Sequence, residues 1–101
     1  MSNEGDFEAF LAQQRADYGR ALPARVAGLR EAWQRAAASR SDDDYRTLER
    51  QAHSIAGSGG TFGFPMVGTA ARDLEGAIGR RDDTAIGAAL ARLEEALRDA
   101  V

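Results

Sequence analysis

Apolar residues in this chain recur three and four positions apart in segment after segment, and nowhere do they alternate with polar ones over a sustained run. That period puts side chains on one stripe of a helix, whereas a strand needs a period of two. β-Branched residues are few as well. The spacing predicts an all-α fold, an up-and-down bundle of four to five amphipathic helices around a four-helix core. At 101 residues the chain fits one domain over 1–101. A domain of that size can bury about two-thirds of its unfolded surface, enough for a core without metal or disulfide staples. Residues 1–5 are expected to be loose.

In chain order, Asp6 can cap a helix running from Phe7 to about Arg20, with Phe7, Phe10, Leu11 and Tyr18 on its apolar side. Gly19 and Pro23 mark a break or a kink. Val26, Leu29, Trp33, Ala36 and Ala37 continue at core spacing over about Leu22 to Ala38, so residues 7–38 are either two helices or one bent one. Ser39-Arg40-Ser41 reads as a turn, and Ser41 followed by Asp44 resembles a capping box. Asp42-Asp43-Asp44 is then the acidic first turn of a helix, where carboxylates suit the positive dipole end. That helix turns Tyr45, Leu48, Ala52 and Ile55 inward and should end near Gly59 or Gly60. Thr61 to Phe64 connect it to a helix over about 65–79 that opens on Pro65 and uses Met66, Val67, Ala70, Leu74 and Ile78. The turn Arg80-Arg81-Asp82-Asp83 leads into a last helix over about 83–99, built on Ile86, Leu90, Leu93 and Leu97.

Composition removes many kinds of chemistry. There is no cysteine, hence no disulfide, thiolate zinc site or cysteine nucleophile. All 13 basic residues are arginine, which excludes the lysine of a phosphate-binding P-loop and any Schiff base. A net charge of −3 speaks against a broad nucleic-acid surface. No apolar run approaches the roughly 20 residues that span a bilayer. Residues 1–6 are acidic and lack the pattern of a signal peptide, so no membrane association and a cytoplasmic location are expected. One histidine and no Asp-x-Asp-x-Asp-Gly loop leave no metal site and no cofactor expected in the chain itself.

The stretch from Arg50 to Gly63 stands apart. It holds the only histidine, His53, followed at once by four of the eleven glycines. Each glycine inside a helix costs roughly 1 kcal/mol relative to alanine, so their cluster beside one imidazole implies a need for open space. Advancing 100° per residue, Arg46, Glu49, Arg50, Ala56, Gly57 and Gly60 fall within about 60° of His53, while Leu48, Ala52 and Ile55 fall well behind it. The ring should face solvent, with charged residues one turn before it and bare backbone one turn after. A surface histidine of no special role is the competing reading, but surface helices normally carry Glu, Lys, Gln or Ala where these glycines stand. Gly57-x-Gly59 misses the third glycine of a dinucleotide fingerprint and follows a helix instead of a strand.

Ala52-His53-Ser54-Ile55-Ala56-Gly57-Ser58-Gly59-Gly60, with Phe62-Gly63 after it and Leu74-Glu75 on the next helix, resembles the histidine-containing phosphotransfer domain family across essentially the whole chain. The resemblance implies a phosphorelay protein of a two-component system. His53 would accept a phosphoryl group from the aspartate of response-regulator receiver domains and return it. Partners would act in trans, receivers and a hybrid histidine kinase, with magnesium in the receiver. The chain would be a monomeric phosphocarrier, not an enzyme in its own right. Glu49, Ala56, Gly57 and Gly60 would form the docking surface. The family often has lysine three residues after the histidine, thought to offset phosphoryl charge, where this chain has Ala56. Arg50 and Arg46 could replace that charge, since a guanidinium binds phosphate oxygens by paired hydrogen bonds. The missing lysine also keeps open a second function, a helical module that binds or scaffolds a receiver without being phosphorylated.

Overall fold

The computed structural model describes residues 3–100. They form four helices, α1 (Asn3–Ser39), α2 (Asp42–Ser58), α3 (Pro65–Gly79) and α4 (Asp83–Ala100). Helix α2 packs on α1 and α3, and α4 closes the ring on α3 and α1. Leu29, Leu48, Leu74, Ile86, Leu90 and Leu93 meet at the centre with no exposed surface.

The proline question is settled in favour of one helix. Pro23 lies inside α1. A proline there removes one hydrogen bond and crowds the carbonyl four residues back, which belongs to Gly19. The helix persists because its buried stripe stays in phase across the proline: Leu22, Val26, Leu29, Ala32 and Ala36 are all buried. Gly19 has a separate task. A Cβ there would stand 3.0 Å from the Phe64 ring, so the glycine lets that ring lie against α1.

The N-terminus departs from expectation in two ways. Asn3–Gly5, expected to be loose, are helical, so Asp6 lies within the first turns and is no cap; Met1 and Ser2 fall outside the described residues. Phe7 and Phe10, assigned to the apolar side, are 62% and 58% exposed. The reason is length. At 1.5 Å per residue, 37 residues span about 55 Å, while α2, α3 and α4 have 15 to 18 residues each. Their ends reach α1 at Tyr18, whose ring stacks on Phe62 at 4.8 Å and whose hydroxyl meets Ser58 at 2.7 Å. Gly63 still lies beside Arg15, but Phe7 and Phe10 stand beyond that cover. Met66 is likewise exposed, one residue off the stripe that buries Val67.

The junctions follow their local chemistry. Arg40 takes the left-handed conformation that ends a helix, with φ of 59°. Ser41 caps α2 by accepting the Asp44 N–H at 3.2 Å. The reciprocal half of the capping box is rerouted: Asp44 accepts from the Ser39 hydroxyl at 2.5 Å, and the Ser41 N–H donates to Ser39 at 3.1 Å. Asp82 caps α4 through the Ala85 N–H at 3.1 Å. At this end of the bundle the buried Tyr45 donates to Asp83 at 2.9 Å, with the Arg81 guanidinium 3.8 Å above its ring. Arg40 also pairs with Asp83, and Arg81 with Asp42 at 2.7 Å.

At the opposite end α2 and α3 touch backbone to backbone. A Cβ on Gly59 would lie 2.8 Å from the Gly68 nitrogen and 2.9 Å from its Cα. Gly59→Ala should therefore destabilise the fold by about 1–3 kcal/mol, because backbone cannot yield as a side chain can. Gly57→Ala, where an added Cβ meets nothing within 4 Å, should be neutral or stabilising by up to about 1 kcal/mol. Urea melts of the two variants check the contrast.

A pH dependence follows from the ion pairs. Arg40 and Tyr45 hold Asp83 below the usual carboxylate range, Arg81 does the same to Asp42, and Arg30 to Glu94. Each depressed carboxyl contributes stability above its unfolded value of about 4, and that contribution fades as pH falls through the folded value. The thermal midpoint should drop on acidification below about pH 4, and Asp83→Asn should flatten part of that drop.

Candidate functional site

His53 stands on α2 with its side chain 73% exposed. Behind it Leu48, Ala52, Ile55 and Ala56 are buried, so the helix is anchored by the stripe next to the ring and not by the ring itself. Gly57 and Gly60 are exposed and open, as the spacing predicts, and Glu49 is exposed one turn before the histidine.

Ala56 needs correction. It is only 7% exposed, buried against α3, and does not belong to an open docking surface. On the helical wheel it lies about 60° from His53 on the same side as Ala52 and Tyr45, and that flank is where α3 packs. Angle from the histidine is no measure of exposure once a neighbouring helix covers one side of it.

The ring itself is held. His53 Nδ1 lies 2.6 Å from Glu75 Oε2 on α3. A carboxylate only accepts hydrogen bonds, so the proton sits on Nδ1 and the neutral ring keeps its lone pair on Nε2, pointing away from Glu75. Sequence reasoning saw no carboxylate near His53 other than Glu49, and it missed this one because 22 residues separate the two. A signal was available: Leu74 is a core residue of α3, so the next position, 100° round the helix, falls at the edge of the packed face.

The two arginines expected beside the ring have other partners in the structure. Arg46 pairs with Asp43 on its own helix. Arg50 donates to Thr47 at 3.4 Å and lines a groove between α1 and α2 with Arg25, Gly28, Gln51 and Ser54. In that groove Arg25 donates to Ser54 at 2.6 Å. The α3 side of His53 carries a different groove, lined by Ala56, Gly57, Gly60, Gly68, Thr69 and Arg72. Arg72 is a second residue the sequence reading did not select.

Among the described residues no group of three or more His, Asp or Glu side chains could hold a metal ion, and no helix is long and apolar enough to cross a membrane.

The site is thus an exposed imidazole on a four-helix bundle, hydrogen-bonded through Nδ1 and beside a bare glycine floor. The Hpt domain model matches residues 8–101, nearly the whole chain. The protein belongs to the Hpt domain family, whose members carry phosphoryl groups on histidine in phosphorelay signalling. Neither the curated proteins nor the solved structures yield a match.

Losing the Glu75 bond should leave the ring free to rotate and to exchange tautomers. Hydrogen bonds to a charged group are worth about 1.5–3 kcal/mol, so Glu75→Ala should slow phosphoryl uptake roughly 10- to 100-fold. Phosphate-release kinetics from a labelled receiver measure it, and ¹⁵N chemical shifts of the ring report the lost tautomer preference.

Proposed function

We propose that His53 is the phosphoacceptor, taking a phosphoryl group from the aspartyl phosphate of a response-regulator receiver domain and returning it to another. The observation that carries this reading is an exposed His53 ring whose Nδ1 is held by Glu75, which leaves Nε2 as the free nitrogen.

The step balances on this chain's own atoms. The Nε2 lone pair attacks phosphorus, an N–P bond forms, and the P–O bond to the receiver's aspartate breaks with its electron pair leaving on the carboxylate. The ring then bears Nδ1–H and Nε2–P and is cationic, and Glu75 stands against that charge. No proton needs to move during transfer, which suits a reversible carrier. Phosphoryl transfer depends mainly on positioning and charge stabilisation. The receiver, with its magnesium, would supply most of both, and this chain supplies an oriented nucleophile. Glu49, Gly57 and Gly60 form the surface on which the receiver would sit, with the two glycines allowing its active site to come close. Arg50, with Arg46 behind it, would contribute favourable charge at longer range. A hybrid histidine kinase would feed the relay in trans, with the carrier acting as a cytoplasmic monomer.

Incubation with a phosphorylated receiver should transfer acid-labile, base-stable phosphate to the protein, and His53→Gln should abolish the label. Stable complex formation with no label on the wild-type protein would instead favour a receiver-binding module.

A further inference from the structure

We propose that Arg72, reaching across from α3, supplies the positive charge for the phosphoryl group that the family lysine supplies from α2; this rests on His53 being the acceptor. The helix register makes the case. Helices α2 and α3 run antiparallel, and Glu75 meets His53. One turn further along α2 is Ala56, and one turn back along α3 is Arg72. Those two meet as well, with the Arg72 guanidinium 3.4 Å from the Ala56 carbonyl oxygen. The cation therefore stands at the residue where the lysine would begin, three residues beyond the histidine, a rise of about 4.5 Å along α2.

Its engagement there is slight. A guanidinium has five N–H donors in a planar fork, and the hydrogen bond to Ala56 is long and made to a neutral carbonyl. Arg30, Arg40 and Arg81 are each tied to a carboxylate, Glu94, Asp83 and Asp42. Among the described residues Arg72 has no ion pair. The space in front of it is open as well, since a Cβ on Gly57 or Gly60 would meet nothing within 4 Å. A phosphoryl group on Nε2 would thus find, on the side its lost lysine would have occupied, a planar donor able to bind two of its oxygens. Arg50, by contrast, faces the groove on the other side of α2. Arg72 and Glu75 share one face of α3, so one helix would both orient the ring and receive its cargo.

Transfer from a phosphorylated receiver, followed in wild-type protein and in Arg72→Ala, Arg72→Gln, Arg50→Ala and the double variant Arg72→Ala/Ala56→Lys, tests this. The Arg72 single variants should slow transfer roughly tenfold or more, as loss of a charge-assisted hydrogen bond implies, and should shift the ³¹P resonance of the phosphohistidine. Arg50→Ala should change the rate less than Arg72→Ala. Lysine at position 56 should restore most of the rate, which it would not do if the defect were purely structural. Wild-type rate and ³¹P shift in both Arg72 variants overturn the assignment while leaving His53 as acceptor. A rate loss that lysine fails to rescue, without a ³¹P shift, overturns it too. A wild-type protein that takes no label sinks the acceptor reading and this assignment together.

Discussion

The contact between the Gly59 and Gly68 backbones governs the site. Two helices that touch without side chains between them cannot slide past each other by a fraction of a turn, because the close approach exists only where both lack a Cβ. From that point His53 lies six residues back along α2 and Glu75 seven residues forward along α3, nearly the same rise on antiparallel helices. The register that joins ring to carboxylate, and Ala56 to Arg72, is thus set some two turns away by two glycines. Pro65 at the start of α3 and the left-handed Gly63 before it, with φ of 91°, make the short return between the helices possible.

Charge is used differently at the two ends of the bundle. Where α1 passes to α2 and α3 to α4, arginines and aspartates are spent on one another around the buried ring of Tyr45. These pairs are exposed enough that each contributes modestly, but they tie the two junctions to each other. Around His53 the pattern reverses. Glu75 faces an imidazole, which carries full charge only when protonated or phosphorylated, and Arg72 faces a neutral carbonyl. A surface arranged in this way would leave the Arg72 guanidinium available to a dianionic group on the ring, as proposed above.

Helix α1 shows how a periodic pattern can be right about conformation and silent about burial. Its apolar residues run on past Tyr18 to Phe10 and Phe7 at helical spacing, and the segment is indeed helical. Yet those rings stay exposed because the much shorter α2, α3 and α4 do not extend alongside them. A hydrophobic stripe marks the side of a helix that could be covered. Only the lengths of the other helices decide how far the cover extends.

The all-α class, the turns at Ser39–Ser41 and Arg80–Asp83, the Ser41 cap and the outward His53 were all legible in the chain, because each depends on residues within a turn or two of one another. The continuity of α1 through Pro23 was not, since a local rule for proline competes with a core that rewards an unbroken stripe. Nor were the burial of Ala56, the grip of Glu75 on the ring or the place of Arg72, which all arise from the way α3 lies against α2. Sequence by itself determined the helical class and which way His53 faces. Tertiary structure alone decided what surrounds it, because those neighbours come from a second helix whose register depends on packing and not on spacing along one segment.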